Sequence, residues 1–327
     1  MPIIGRRAFV AGTAAAAVAR TIPAFADDYP NRPITLVIPL PPGGTNDIMA
    51  RSVADHMSAT LGQQIVIENR PLGGTGTVAT RAVAHGPADG YTLLLAYTST
   101  MATGPHMLRN VGYDFRKDFA PVGTIGYAPA LILAHPSVPY RDASDLIAAM
   151  RASKQPFQVG TPGISSVNHL TAMLFAQQAG VKLEYIPYKG SQLLITDVIG
   201  GFVKVGFNPI PVSRAAIEGK LIRALAATSI KRSSAFPDLP TVAESGLPGF
   251  DAVLTYGIVA PAATPRPIVD KLNSALRGAL ASDEVKKRLA QEGAEPLPTT
   301  PEEHAAILVR EDAKWSALIN TAGIAAK

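Results

Sequence analysis

The sequence predicts an α/β protein of two domains, on three observations. Strand-like apolar runs recur along its 327 residues with helical patterns between them, the alternation that builds largely parallel sheets. Two of those runs end in polar, glycine-bearing turns that open helices. Two further stretches mix strand formers with Gly and Pro and mark a chain that leaves one domain, builds a second and returns.

The first 26 residues stand apart. Gly5-Arg6-Arg7-Ala8-Phe9-Val10 is a twin-arginine-like start, followed by an Ala-rich stretch and Ala24-Phe25-Ala26, the layout of an export signal cleaved after Ala26. A membrane anchor is the competing reading, but the uncharged, Ala-rich run over residues 8–19 falls well short of the roughly 20 residues that cross a bilayer. Cleavage would remove Arg6, Arg7 and Arg20 and no acid, leaving 27 Lys and Arg against 25 Asp and Glu, a net charge of +2. The pI of 9.4 therefore owes much to the signal, and the absence of a long basic run argues against nucleic acid as a partner. Cysteine is absent, which excludes thiol nucleophiles, disulfides and Cys-based metal sites. The remaining 301 residues suffice for two domains, and none of their apolar segments is long enough to span a bilayer.

Residues 33–61 carry the most information. The run Pro33-Ile-Thr-Leu-Val-Ile-Pro-Leu40 reads as a strand, Pro41-Pro42-Gly43-Gly44-Thr45-Asn46-Asp47 as a turn, and Ala50, Ala54, Met57 and Leu61 as one face of a helix. Gly43 and Gly44 lack the Cβ atoms that keep a ligand off the backbone, and Thr45 or Asp47 can cap the helix while further N–H groups stay free. Such a helix start holds a carboxylate or phosphate without Arg or Lys. An ordinary capped turn is the plainer reading of this segment alone.

Further strand-like runs follow at residues 64–68, 91–97, 130–135, 157–160, 183–187, 203–207, 221–228 and 252–260. The domain crossings fall at residues 122–130 and 255–262, with Gly126 and Gly257 suggesting a hinge. Near the C-terminus, Thr264-Pro-Arg-Pro267 opens a helix with Ile268, Leu272, Ala275 and Ala279 along its stripe. Thr300-Pro-Glu-Glu303 is a capping box opening another, with Leu308, Trp315 and Ile319 on one face.

A second polar turn follows the run at 157–160. Thr161-Pro-Gly163-Ile-Ser165-Ser166-Val167-Asn168-His169 places Ser165, Ser166 and Asn168 at a helix start, where hydroxyl, amide and backbone groups can donate to a carboxylate. One such turn is commonplace; two, in two domains, suggest a cleft gripped from both sides. Other chemistries find little support. Gly74-Thr-Gly-Thr-Val-Ala79 fits the loose dinucleotide fingerprint, yet a loop separates it from its strand and no acid ends the next run. The six histidines form no metal-binding pair, and no G-x-S-x-G elbow occurs, so hydrolysis at Ser165 or Ser166 is a weak alternative.

At this point the blocks match a family. Pro30-x-Arg-Pro-Ile-Thr-Leu-Val-Ile-Pro-x-Pro-Pro-Gly-Gly44, Glu68-Asn-Arg-Pro71, Asp89-Gly-Tyr-Thr-Leu93, Asp118-Phe-Ala-Pro121, Pro187-Tyr-Lys-Gly190 and Phe236-Pro-Asp-Leu-Pro-Thr-Val-Ala-Glu-Ser-Gly-Leu-Pro-Gly249 together resemble the Bug-type receptors of tripartite tricarboxylate transporters. The likeness spans nearly all of residues 29–324. It implies a two-domain α/β fold of the type II periplasmic binding proteins, a cleft that closes on a small organic acid, and delivery to membrane permease subunits. It also implies that Pro42, Gly43, Gly44, Thr45 and Asp47 hold a ligand carboxylate from the first domain, and Gly163, Ser165, Ser166 and Asn168 from the second. Two positions depart from the family pattern: Val167 replaces a hydroxyl residue, and Asn208 stands where an acid is expected. The neutral Asn208 amide is expected to donate to a second ligand carboxylate, or else to cap the following turn.

The sequence reading is thus an exported, periplasmic, monomeric receptor that captures and does not catalyse, with no cofactor and no metal. Domain one takes residues 29–126 and 251–327, domain two residues 127–250. A ligand sensor with a signalling partner and a serine esterase are the alternatives. Di- and tricarboxylates, aromatic acids and acidic amino acids all remain open as ligands.

Overall fold

The computed structural model describes residues 28–71, 76–164 and 166–326; the segment expected to be an export signal, its expected cleavage point and Ser165 lie outside them. The chain begins with a parallel unit: β1 (Ile34–Ile38), α1 (Thr45–Leu61), β2 (Ile65–Asn69), α2 (Thr77–Ala84) and β3 (Thr92–Tyr97). Both faces of β1 are buried, as a parallel strand covered by helices requires. Leu36 and Ile38 pack with Met49, Val53 and Met57 of α1, and Val37 packs with Ala79 and Val83 of α2.

A π-helical turn (Ser99–Thr103) and the short helices α3 (Gly104–Met107) and α4 (Phe115–Asp118) lead into β4 (Phe119–Ala134), a single strand of 16 residues. Next come α5 (Ala143–Ala152), β5 (Phe157–Thr161), α6 (Val167–Ala179), β6 (Leu183–Pro187), α7 (Ser191–Ile199), β7 (Val205–Pro209), α8 (Ile210–Glu218) and β8 (Arg223–Ala227). The chain then returns through β9 (Val253–Pro261), α9 (Arg266–Ala281), α10 (Asp283–Gln291), β10 (Glu295–Pro296) and α11 (Pro301–Thr321). Strand order is β2-β1-β3-β9-β4-β7-β5-β6, with β8 and β10 also on β4.

The two flanks are parallel, as expected, but the centre is not. β4 and β9 run antiparallel to each other, β9 antiparallel to β3, and β4 antiparallel to β7. A strand that carries the chain out and one that carries it back point in opposite directions, so a chain crossing twice places an antiparallel pair in the middle. β4 changes partners along its length: residues 119–129 pair with β9 and residues 130–134 with β7 and β8. On the way back, β9 lies wholly beside β3 and β4. Its hand-over is at Ala252, whose N–H donates to the Thr228 carbonyl at 2.8 Å. The Thr228 hydroxyl donates to the Ala252 carbonyl at 2.7 Å and accepts from the Ala130 N–H at 2.9 Å. One buried residue thus joins the two passages.

The glycines at the expected hinge points are closely packed. A Cβ on Gly126 would stand 2.3 Å from the Glu295 carbonyl oxygen, and one on Gly257 would stand 2.5 Å from the His304 ring. Both serve close packing inside paired strands. The C-terminal helices match their sequence patterns: Ile268, Leu272, Ala275 and Ala279 are buried on the α9 stripe. Thr300 and Glu303 form the capping box of α11. That last helix also bridges the two flanks. Its Leu308 packs with Val37 and Val259, whereas Trp315, Leu318 and Ile319 pack with Phe175, Phe207 and Phe250.

Candidate functional site

Both polar turns and Asn208 lie at carboxyl ends of parallel strands, the edge where α/β sheets bind ligands. The first turn follows β1; the second follows β5, and Asn208 lies near the end of the neighbouring β7. β1 stands on one side of the antiparallel centre, β5 and β7 on the other.

In the first turn, Gly44 is the N-cap of α1 and no side chain caps it; Thr45 is already the first helical residue. This corrects the expectation that Thr45 or Asp47 caps the helix. Asp47 instead reaches back one turn, where its carboxylate accepts from the Gly43 N–H at 3.1 Å, Arg51 Nε at 2.9 Å and Asn69 Nδ2 at 3.1 Å. Asn69 also donates to the Leu40 carbonyl at 3.1 Å, so β2 buttresses the turn. Burial raises the Asp47 pKa, but the bonds from Arg51, Gly43 and Asn69 outweigh it and hold the carboxyl below its ordinary range. Asp47 is therefore the ionised brace of the turn, with Arg51 as its counter-charge.

The open part of the turn is backbone. Gly43 has φ +84°, a left-handed conformation suited to glycine, and a Cβ at Gly43 or Gly44 would meet nothing within 4 Å. The space ahead of both is open. The first intrahelical bond runs from Ile48 N–H to the Gly44 carbonyl, so the N–H groups of Thr45, Asn46 and Asp47 precede the helix's own ladder. With the helix dipole they form an anion-holding concavity. Pro42 opens this turn and is exposed. Sequence reasoning missed Gly76, the N-cap of α2, which packs so closely on Pro39 that its Cβ would stand 2.4 Å from the Pro39 carbonyl oxygen. The start of α2 thus adjoins the first turn. The glycine motif at residues 74–79 signalled this, although Gly74 and Thr75 lie outside the described residues.

In the second turn, Ser166 is the N-cap of α6. Its hydroxyl accepts from the His169 N–H at 3.1 Å and donates to the Gly163 carbonyl at 2.8 Å. Gly163, at φ +130°, shapes the bend. His169 Nδ1 pairs with Thr161 Oγ1 at 2.9 Å and its ring meets Tyr185 edge-on; burial lowers its pKa and favours the neutral ring. Asn168, in the first turn of α6, is buried and its carboxamide oxygen has no partner.

Asn208 is fully buried. Its amide donates to Ser213 Oγ at 3.2 Å and towards the Ser191 carbonyl at 3.5 Å, and its oxygen has no partner. It does not cap α8, whose N-cap is Pro209 without a side-chain bond. The expected ligand-donating amide is thus turned inward by Ser213, leaving an acceptor. Asn46, overlooked in the sequence, shares the condition: its buried carboxamide oxygen is also unpartnered. Sequence spacing signals none of these three orphan oxygens, because orphanhood depends on which groups from distant elements fail to arrive.

Parallel flanks joined through two antiparallel crossing strands, with glycine and amide turns at the strand ends, define the two-domain α/β fold of the periplasmic binding proteins. The model of the tripartite tricarboxylate transporter family receptor matches residues 49–324, and the chain belongs to that family. BugT of Bordetella pertussis is 35% identical over 302 residues, covering 92% of each chain. A Rhodopseudomonas palustris protein solved with adipate is 37% identical with a TM-score of 0.76, covering 91% of this chain and 99% of that one. MatC of the same organism, solved with bound malate, is 31% identical with a TM-score of 0.72, covering 89% of this chain and all of that one.

Proposed function

We propose that this protein is an extracytoplasmic receptor, cleaved after Ala26 and monomeric, that captures a small organic acid between two domains for delivery to a tripartite permease. Domain one would comprise residues 29–126 and 251–327, and domain two residues 127–250. The observation that supports the reading is the open, Cβ-free start of α1 at Gly43 and Gly44, with Asn168 and Asn208 and their unpartnered oxygens on the other side of the antiparallel centre in strand order. One carboxylate would sit at the α1 N-terminus with Thr45 alongside. The rest of the acid, or a water it carries, would satisfy the carboxamide oxygens, which favours a ligand with a hydroxyl or a bound water over a bare second carboxylate at Asn208. The relatives solved with adipate and malate make dicarboxylates the first class to test. Capture without catalysis is supported by Ser166, whose hydroxyl is engaged in capping and not paired with an imidazole nitrogen.

A thermal-shift panel of adipate, malate, citrate and aromatic acids identifies the ligand; one present at 100 times its Kd raises stability by about 2.7 kcal/mol. Calorimetry on Gly44→Ala then tests the site. Gly44 has φ −85°, which alanine adopts freely, so its methyl enters the open space without unfolding the turn. The expected result is at least a tenfold weaker Kd with the fold retained. Unchanged affinity would remove the α1 turn from the site.

A further inference from the structure

We propose that the hollow beside the C-terminus of α8 is a second ligand site, built for a small monocarboxylic acid with an apolar body and separate from the cleft. The hollow is an open depression of about 620 Å³, of a size with small-molecule sites. Its walls include Ile217, Ile222, Phe236 and Leu239, all continuous with the hydrophobic cluster formed by β4, α7 and α8. Phe236 is fixed under the Arg214 guanidinium, 5.8 Å from the ring centroid. The block beginning at Phe236 is prominent in the sequence, yet the strand-end site makes no use of it.

Two cations line the same hollow, Lys220 and Arg223. Arg223 is anchored by an Nη2–H bond to the Val138 carbonyl at 2.6 Å, and its buried Nε–H has no partner, so its charge is held at the hollow without a carboxylate beside it. Lys220 has no ion pair among the described residues. Its backbone is the unusual feature: among the described residues it alone, glycines apart, has a positive φ, +58°. The Lys220 N–H bonds to the Ile217 carbonyl and the Leu221 N–H to the Ala216 carbonyl, each at 2.9 Å. This is the paired closure of a helix end that ordinarily places glycine in the left-handed position. The chain has its glycine one residue earlier, at Gly219 with φ −74°, and holds a lysine in the disfavoured conformation at the rim of an apolar hollow. An observed outlier of this kind points to a role for the side chain.

The composition also selects the ligand. Apolar walls disfavour a second charge, and the one acid in the lining, the exposed Asp238, would repel it. A monoacid with an aliphatic or aryl body meets Lys220 and Arg223 at its carboxylate and Ile217 and Phe236 along its body; a dicarboxylate suited to the cleft does not.

Octanoate is the probe, titrated calorimetrically into the protein alone and with saturating adipate, with saturation-transfer NMR as a check. The expected result is one-to-one binding that adipate leaves in place. Lys220→Gly, which suits the left-handed turn, should weaken octanoate about tenfold, the effect of losing a bond to a charged group. Ile217→Trp, which fills the hollow, should abolish it, and both variants should keep the parent's adipate response. Displacement of octanoate by adipate, equal octanoate affinity in both variants, or no saturable binding up to millimolar concentration would each overturn the site. Loss of adipate binding in Gly44→Ala with octanoate retained concerns the cleft alone, so the two readings fail separately.

Discussion

His304 should set much of the acid sensitivity of this fold between pH 6.5 and 4.5. It lies in the first turns of α11, 1% exposed, against Gly257, with its Nδ1 unpartnered. Burial depresses its pKa from 6.5 to about 3. The folded state therefore keeps the ring neutral where the unfolded chain takes up a proton, and stability rises with pH throughout the interval. At about 1.4 kcal/mol per unit, acidifying from pH 6.5 to 5 costs roughly 2 kcal/mol through this residue, on the order of 5 °C in Tm. Burial shifts His169 in the same direction, so it adds to the same limb. Carboxylates such as Asp47 and Asp145, held below their ordinary range, contribute stability that is lost only at lower pH, as they protonate. The assay is urea unfolding of parent and His304→Phe from pH 7.5 to 4.5. The variant, which removes both the titration and the orphan nitrogen, should show a flatter limb, its stability relative to the parent growing by about 2 kcal/mol between pH 7.5 and pH 5. Parallel limbs would refute the depressed pKa and with it the dry environment ascribed to this ring.

Asn208→Leu should raise the stability of the ligand-free protein by about 1–3 kcal/mol, by removing a buried unpartnered oxygen, while lowering affinity for the cleft acid. Denaturant unfolding and calorimetry read the two effects, and a variant that is neither steadier nor weaker-binding contradicts the assignment. Trp315→Ala should cost about 3–5 kcal/mol, because the fully buried indole fills the cluster around Phe175 and its Nε1 donates to Glu311 at 3.0 Å; a loss under 1 kcal/mol in urea unfolding would contradict the bridging role of α11.

Local chemistry was legible and long-range satisfaction was not. The strand-glycine-helix order at β1 and α1, the apolar stripe of α9 and the Thr300 capping box all rest on residues within a few turns of one another, where spacing alone decides the contact. The Asp47 brace needs Asn69, 22 positions away, and the inward turn of the Asn208 amide depends on Ser213 and Ser191 arriving from two different helices. The antiparallel centre escaped for a related reason: an apolar run announces a strand but carries no sign of its direction. Ser166 shows the converse, because its place at a helix start is legible in the sequence while the bonds its hydroxyl makes to His169 and Gly163 are not.

Thr228 has a further consequence. Its hydroxyl and carbonyl hold Ala130 and Ala252 together, so the segment between them enters and leaves at one point, as an inserted module does. In a simple insertion such a module could be excised and the flanking chain rejoined by a short linker. Here α11 forbids that surgery, because it follows the exit in sequence and still carries Trp315, Leu318 and Ile319 into the insert's interior. Host and insert share one last helix, and neither can be cut free without baring the apolar face that the other supplies.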